Sequence, residues 1–320
     1  MEYDEITLGD DPFSKRVLEH PNFKRLEDTL RIAYCAGDYK PYEEYAGWAY
    51  LRYSQEKKLS IKELVESMRK EFIEHCNNLW VSTKAGCIYI GGPICGHIDE
   101  LGNIILSDGH HRIALLRIQG KLIKMRVISR ADGWVLLKEA MLKVYGKKQT
   151  YQRFAHPDLV DWTTVRGEDR EDKIRPYIYG NVVNLGSAEG WLDYKLSKFS
   201  EGWLAYENHP IRGKLAELQL AGTKARLIKE DFYDASIPEC DCLLLMSTFH
   251  HLYRLDKQKA TWLLERIGQL TKRFIFEVAN KNEPLWGDDI PEMPEYVLKN
   301  TTFKRVIEID SPRKIMVFEK

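Results

Sequence analysis

Apolar and polar positions alternate with different periods along the chain, and the period changes twice. Residues 1–75 follow helical spacing, and the Ser60/Glu63 pair in LSIKEL has the pattern of a capping box. From Cys87 onward, short apolar runs are broken by glycine, which predicts strands and turns. The first half of the chain is therefore expected to be an α+β region that begins with helices.

The run IILSDGHHRIALL, residues 104–116, predicts a strand, a tight turn at Gly109 and a helix. That helix should stop near Gly120, KMRVIS should form a further strand, and another helix is expected over about residues 133–145. The free amides at the start of a helix point toward whatever lies above the preceding turn. The pattern therefore indicates a place that attracts anions.

The second half predicts a doubly wound parallel sheet that ends in an antiparallel hairpin. Apolar strands alternate with helical stretches, and FKRVIEIDSPRKIMVFEK reads as two strands around a Ser-Pro turn. The charged segment TTVRGEDREDK, residues 163–173, lacks apolar periodicity. We therefore predict an N-terminal domain over residues 1–155, a linker over 156–173 and a C-terminal domain over 174–320.

Composition narrows the classes of function. The chain has 320 residues, 44% of them hydrophobic, with Lys plus Arg and Asp plus Glu equal at 48 each, so net charge favours neither nucleic acid nor anionic lipid. The sequence has no apolar run of the roughly 20 residues that a membrane span needs, and we expect a cytoplasmic protein. The six cysteines form no CxxC pair, so no metal site is predicted.

The DGHHR segment carries the chemistry of the first half. Arg112 offers a forked cation suited to phosphate, His110 and His111 can donate hydrogen bonds or move protons, and Asp108 can orient a histidine or hold a metal. In the alternative interpretation, Asp108 caps the helix and both histidines are ordinary polar side chains. Asp99 and Glu100, which precede the motif, are candidates for a catalytic base by proximity.

Strand ends carry the chemistry of the second half. Gly186 and Gly190 bracket a turn after the first strand, while Glu207 and Asp231 end the next two strands, where such sheets hold the ribose and base of a nucleoside. His250 and His251 follow the fourth strand, where a histidine could take a proton from an acceptor hydroxyl. The alternative is that His250 packs in the interior and His251 caps a helix.

The stretch from Gly91 to Ser129, with Pro93-Ile94 entering a strand and DGHHR opening a helix, resembles the ParB and sulfiredoxin superfamily over roughly residues 85–130. This resemblance implies that the turn binds nucleotide phosphates. Histidines stand where sulfiredoxins carry a reactive cysteine, and the following residues do not resemble a DNA-binding domain. The segment is most similar to the kinase type, which implies ATP with magnesium.

The order of strands, helices and motifs from residue 174 to residue 320 resembles that of the class I methyltransferases that use S-adenosylmethionine. By that resemblance NLGSAEG cradles the methionine end of the cofactor, Glu207 takes the ribose hydroxyls, and Asp231 with Phe232 contacts the adenine. Asn184 stands where many members have an acid. The implied cofactor contacts are Leu185, Gly186, Ser187, Gly190, Glu207, Asn208, Asp231 and Phe232.

Two functions follow from these resemblances. In the first, the N-terminal domain phosphorylates a hydroxyl and the methyltransferase modifies the same small-molecule or saccharide acceptor, as in bacterial kinase-methyltransferases that cap polysaccharides. In the second, the N-terminal domain is a non-catalytic module that binds nucleic acid or a protein partner beside a single enzyme. The sequence leaves the acceptor, the nucleotide and the oligomeric state open.

Overall fold

The structure is a computed structural model that describes residues 4–28 without 22 and 27, 94–166 without 119, 170–233, 235–279 and 292–320. The helix predicted after Ser60 lies outside these ranges. The chain forms two compact units, one of residues 1–138 with 156–160 and the other of residues 139–155 with 161–320. Residues 139–155, which the sequence pattern joins to the N-terminal domain, therefore pack with the C-terminal unit.

The N-terminal unit contains a four-stranded sheet with the order β1-β4-β2-β3. Strands β2 and β4 run parallel, whereas β1–β4 and β2–β3 are antiparallel. The predicted strand, turn and helix around Gly109 are confirmed, as is the strand at KMRVIS. Its elements are β1 (Glu5–Leu8), α1 (Pro12–Leu18), β2 (Cys95–Ile98), β3 (Ile104–Asp108), α2 (His110–Ile118), β4 (Ile123–Arg130) and the start of α3 (Asp132–Tyr145).

A buried carboxylate ties residues 156–160 into the N-terminal unit. Asp158 accepts hydrogen bonds from Arg130, from the Trp134 indole at 2.8 Å and from the Lys138 ammonium at 2.9 Å. Burial opposes its ionisation, but these donors outweigh burial and lower the pKa of Asp158 to about 2. The neighbouring His156 donates from Nε2 to the Gly102 carbonyl at 2.8 Å, and burial lowers its pKa to about 4. Asp158 thus holds this segment through hydrogen bonds to its charged carboxylate, and His156 holds it through a hydrogen bond from a neutral imidazole.

The C-terminal unit is built on a seven-stranded sheet and begins with the last turns of α3. Two short strands, β5 (Gln149–Thr150) and β6 (Thr163–Thr164), pair separately in parallel. The remaining elements are α4 (Arg170–Ile174), β7 (Asn181–Leu185), α5 (Trp191–Leu196), β8 (Gly202–Tyr206), α6 (Pro210–Leu220), β9 (Ala225–Ile228), β10 (Cys240–Met246), α7 (Phe249–Leu255), α8 (Lys257–Leu270), β11 (Thr271–Glu277), α9 (Met293–Asn300), β12 (Arg305–Ile309) and β13 (Ile315–Glu319).

The order of the seven strands is β12-β13-β11-β10-β7-β8-β9. The five strands from β9 to β11 are parallel, while β13 pairs antiparallel with both β11 and β12. Continuous apolar runs such as CLLLM in β10 form buried strands because both faces of this sheet are covered by apolar side chains. The predicted parallel strands and the terminal antiparallel hairpin are confirmed.

Chain order creates a crevice at the carboxyl edge of this sheet. The chain starts at β7, moves outward through β8 to β9, and then returns to β10 on the other side of β7. The connections after β7 and β10 therefore leave in opposite directions, which opens a space between them. The functional candidates of the C-terminal unit follow these strands.

Within the described ranges, no helix combines the length and the apolar character needed to cross a membrane.

The segment over residues 163–173 contains more structure than its polar sequence indicates. It includes β6 and the short helix α4, whose first residue, Arg170, is buried and forms an ion pair with Glu277 at 3.2 Å. Charged residues normally mark a solvated stretch, but here one charge finds a partner far along the chain. Periodicity misses such a helix because two of its three buried residues, Arg170 and Glu171, are charged.

Candidate functional site

The turn after β7 has the backbone of a ligand-binding loop. Gly186, Ala188 and Gly190 adopt positive φ values of 85°, 52° and 79°. A side chain at Gly186 would place its Cβ 2.8 Å from the Thr248 hydroxyl, whereas one at Gly190 would meet the Cα of Ala216 at 3.1 Å. Gly186 therefore keeps the crevice between β7 and β10 open, and Gly190 allows α5 to pack on α6.

A fully buried carboxylate on α5 shapes this turn from beneath. Asp193 accepts hydrogen bonds from the Asn184 amide at 2.8 Å, from the Ser187 hydroxyl at 2.5 Å and from the Trp203 indole at 2.5 Å. Burial raises the pKa of Asp193, and the three donors act against that shift. The Ser187 side chain is thus held inside the protein, whereas the turn's backbone faces the crevice edge of the sheet.

Glu207, the residue directly after β8, reaches back to the same turn. Its two carboxylate oxygens accept hydrogen bonds from the Ala188 amide at 2.7 Å and the His209 amide at 2.9 Å. Burial raises the pKa of Glu207, and Arg212 is among the groups that act in the opposite direction. Each oxygen retains acceptor capacity after one hydrogen bond, so Glu207 can still bind hydroxyl groups of a ligand.

The next strand brings a second acid beside Glu207. Asp231 lies beyond the end of β9 and accepts hydrogen bonds from the Asn208 amide at 3.2 Å and from the Tyr233 backbone at 3.0 Å. Phe232 is buried in the apolar core, as is Leu185 at the end of β7. The structure therefore brings Glu207, Asn208 and Asp231 together at one edge of the sheet, as their positions in the sequence predict.

The two histidines after β10 differ in exposure. His250 is fully buried, and its Nδ1 accepts a hydrogen bond from the Ala279 amide at 3.4 Å. His251 is exposed, and the two rings lie 4.2 Å apart. Desolvation lowers the pKa of His251, and the charges of Arg313, Arg212, Arg254 and Arg166 lower it further. Only His251 is therefore placed to meet a ligand from solvent.

A buried ion cluster lies at the ends of β10 and β11. Glu277 accepts hydrogen bonds from Arg170 and from the Ser247 hydroxyl, which also accepts one from Arg313 at 3.0 Å. Ser247 adopts a φ of 57°, and with Ala188 it is one of the two non-glycine residues that have positive φ in the described part of the chain. Backbone strain of this kind persists where surrounding contacts enforce it, and here it flanks both sides of the crevice.

The DGHHR segment forms the start of α2 in the N-terminal unit. Gly109 has a φ of 94°, and a Cβ there would lie 2.9 Å from the side chain of Ile94. Asp108 accepts hydrogen bonds from the Gly109 amide at 2.6 Å and from Arg112 at 2.9 Å. His110 lies at the surface. Partial desolvation of its ring lowers the pKa of His110, and the charge of Asp108 acts against that shift. The side chain of His111 lies outside the described part.

The two acids before this motif are occupied by local hydrogen bonds. Asp99 accepts from the Leu101 amide at 2.9 Å and the Asn103 amide at 2.8 Å, and Glu100 accepts from the Gly133 amide at 2.5 Å. Among the described residues, no group of three or more His, Cys, Asp and Glu side chains is arranged to hold a metal ion. Both acids therefore shape turns of the N-terminal unit.

Sequence reasoning missed several residues that build the site. Asp193 and Glu189 are buried carboxylates next to the glycine turn, and Arg170 is a buried cation above the sheet edge. Charged side chains are typical of solvent-exposed faces, so the burial of these residues cannot be predicted from composition. The available signals were Asn184, which stands where an acid is expected and binds the carboxylate of Asp193, and the acid Glu189 directly before the second glycine.

A glycine turn, two acids at adjacent strand ends and strained backbone on both sides of the switch point define the class of the C-terminal unit. It is a doubly wound α/β domain of the type that binds nucleotide-like ligands at the carboxyl ends of its strands. Over 140 residues the chain is 32% identical to the O-antigen chain terminator bifunctional methyltransferase/kinase WbdD of Escherichia coli, covering 40% of this chain and 19% of that protein.

A second sequence relative and two solved structures are also similar to this chain. A second Escherichia coli protein of the same description is 31% identical over 140 residues. The crystal structure of monomeric WbdD aligns with a TM-score of 0.47 and 22% identity, over 55% of this chain and 47% of that one. The N-methyltransferase NodS from Bradyrhizobium japonicum WM9, in complex with S-adenosyl-L-homocysteine, aligns with a TM-score of 0.37 and 11% identity, over 48% and 86% of the chains.

No protein-family profile matches the chain. The matched part spans about one fifth of the length of the curated Escherichia coli relatives, as the 19% coverage shows.

The geometry of the glycine turn generates a stability prediction. Gly186→Ala should lower the free energy of unfolding by about 1–3 kcal/mol, because the new Cβ is strained at φ 85° and also meets Thr248. Gly222→Ala is the matched control, since Gly222 has a φ of 83° with nothing within 4 Å of a Cβ. Urea denaturation should show a larger loss for the first variant, and equal losses would contradict the predicted clash.

Proposed function

We propose that the chain is a methyltransferase that uses S-adenosylmethionine in its C-terminal unit, and that its N-terminal unit binds a nucleotide and phosphorylates the same small-molecule or saccharide acceptor. The observation that carries the proposal is the placement of Glu207 and Asp231 at adjacent strand ends beside the Gly186 turn. Sequence similarity over 140 residues to the Escherichia coli methyltransferase/kinase supports the proposed methyltransferase.

The residues of the C-terminal unit fit this cofactor. The backbone of residues 186–190 suits the methionine end because Gly186 leaves room that a Cβ would fill. Glu207 would bind the ribose hydroxyls with its remaining lone pairs, and Asp231 with Asn208 would lie toward the base. Phe232 would contact the adenine only by its exposed edge, since most of its ring is buried. The cofactor supplies a methyl group on a sulfonium.

His251 is the residue proposed to move a proton. As the acceptor oxygen forms its bond to the methyl group, it releases its own proton, and the exposed imidazole of His251 can take that proton. Partial desolvation of the ring and the charges of the surrounding arginines lower the pKa of His251, which favours the neutral ring at pH 7. A neutral ring is the form that a general base requires.

Phosphoryl transfer is proposed for the DGHHR segment. It depends on positioning and on neutralising charge, which the amides at the start of α2, Arg112 and the exposed Asp108 can supply. A magnesium ion that arrives with ATP keeps most of its ligands as water and phosphate, so Asp108 could suffice as its protein ligand. A bound phosphate would then share Arg112 with Asp108.

The second candidate function makes the N-terminal unit a non-catalytic module that binds nucleic acid or a protein partner. The hydrogen bonds from Gly109 and Arg112 to Asp108 favour this alternative, because they already engage the carboxylate and the guanidinium with each other. Nucleotide binding separates the two candidates, since a turn held by its own hydrogen bonds has no need of nucleotide phosphates.

Glu207 gives the first test. Glu207→Ala removes the acceptor of the ribose hydroxyls and should weaken S-adenosylmethionine binding by about 1–3 kcal/mol in calorimetric titration. Glu217→Ala is the control, because Glu217 is a carboxylate on α6 whose partners are Lys214 and Lys229. If the wild type binds S-adenosylmethionine and Glu207→Ala binds it with the same affinity, Glu207 does not bind the ribose hydroxyls.

His251 gives the second test, with tritiated S-adenosylmethionine and a saccharide acceptor. His251→Ala should lower transfer by about 100-fold without loss of stability, whereas His250→Ala should mainly destabilise the fold. In the wild type, transfer should fall only at a pH below the ordinary range of a histidine, because desolvation and the nearby arginines lower the pKa of His251 and protonation then removes the base. Full transfer by His251→Ala would place this histidine among the structural residues.

Arg112 gives the third test. Arg112→Ala should abolish binding of ATP, ADP or CTP with magnesium, while S-adenosylmethionine binding stays unchanged because the two sites lie in different compact units. Lys124→Ala is a control at an exposed position of β4. If the wild type shows no shift in melting temperature with any of these nucleotides, the phosphotransferase proposal is wrong and the binding module is favoured.

A further inference from the structure

A segment that precedes the sheet in the chain is fastened to the glycine turn. Residues 149–155, which we call the strap, follow α3 and belong to the C-terminal unit. Gln152 accepts a hydrogen bond from the Leu192 amide at 3.3 Å, and Gln219 of α6 joins the strap to the turn. Gln219 accepts from the Ala155 amide at 2.9 Å and donates to the Glu189 carbonyl at 2.9 Å.

The side chain of Glu189 makes the central contact between the turn and the strap. It is fully buried, and its carboxylate accepts hydrogen bonds from the Tyr151 amide at 2.9 Å, the Gln152 amide at 2.7 Å and the Tyr145 hydroxyl. A buried carboxylate is tolerated only when donors surround it in this way. Removing its charge therefore leaves two backbone amides with a weaker acceptor.

Through the strap, Glu189 also sets the position of an aromatic ring between two cations. The Tyr151 ring lies 5.4 Å from Arg166 and 5.4 Å from Arg212, and Arg166 donates to the Tyr151 hydroxyl at 3.2 Å. Arg212 also lies over Tyr145, at 5.9 Å. Guanidinium groups stack on such rings in a fixed orientation, so the strap holds both cations in place.

These cations act on the proposed site residues. Arg212 is among the charges that lower the pKa of Glu207 against the effect of burial, and both Arg166 and Arg212 are among those that lower the pKa of His251. The chain of contacts thus runs from Glu189 through Tyr151 to Arg212 and Arg166, whose charges act on the proposed cofactor-binding acid and the proposed base.

We propose that Glu189 is a positioning residue, which anchors the strap and thereby fixes both the cofactor turn and the arginines beside Glu207 and His251. The inference rests on the proposed function and deepens it, because it names a residue that couples the cofactor site to the acceptor side. Glu189 itself points into the protein and touches neither ligand.

A double-mutant cycle tests this coupling with the full chain and S-adenosylmethionine as the probe. Glu189→Gln should raise the Kd by about 10-fold, and Tyr145→Phe, which removes the hydroxyl that bonds both Glu189 and Arg212, by about 3-fold. The double variant should bind more tightly than the product of the two single effects predicts, because the Tyr145 hydroxyl and Glu189 belong to one network of hydrogen bonds. A purely structural carboxylate would lower the unfolding temperature without this coupling in Kd.

Asp241→Asn is the matched control. Its carboxylate accepts from the Asn181 amide at 3.0 Å, so it anchors the same strand β7 at the opposite edge of the sheet, and its loss should leave the Kd unchanged. The proposal would be overturned if the effects of Glu189→Gln and Tyr145→Phe on the Kd multiplied in the double variant, or if neither variant changed the Kd. If Glu189→Gln does not fold, Tyr145→Phe alone decides, and an unchanged Kd in that variant would overturn the proposal. Absence of binding by the wild type would overturn the proposed function, and this inference with it.

Discussion

Two buried carboxylates hold the turn on which the C-terminal site depends. Asp193 binds Asn184, Ser187 and Trp203 from below, and Glu189 binds the strap on the other side. Ala188 has a φ of 52° in this turn, which is strained for a residue other than glycine, so the conformation persists only where its surroundings enforce it. The hydrogen bonds of these carboxylates provide that enforcement.

The sheet topology explains why the turn matters. Because the chain departs in opposite directions after β7 and β10, their loops cannot cover the crevice between them. Gly186 stands on one side of that crevice and the strained Ser247 on the other, where Glu277 and Arg313 hold its hydroxyl. The strand-end acids follow β8 and β9, and the exposed His251 follows β10, so all of them lie at the carboxyl edge of this sheet, where the proposed methyl transfer would take place.

Periodicity predicted the framework of the site because apolar strands and helical spacing are local signals. The strands before Gly186, Glu207 and Asp231, the terminal hairpin and the helix after Gly109 all follow from such patterns. The supporting carboxylates could not be predicted in this way, since their partners lie far along the chain. Glu189 and Tyr145 are 44 residues apart, and Arg170 and Glu277 are 107 residues apart.

The central claim is that the turn after β7 and the following strand ends bind S-adenosylmethionine. Amide hydrogen exchange of the full chain, measured with and without this cofactor, tests it most directly. The account predicts slower exchange in residues 184–190, 207–209 and 231–233, and no change in the terminal hairpin of β12 and β13. Protection confined to other segments, or identical exchange with and without saturating cofactor, would contradict the account.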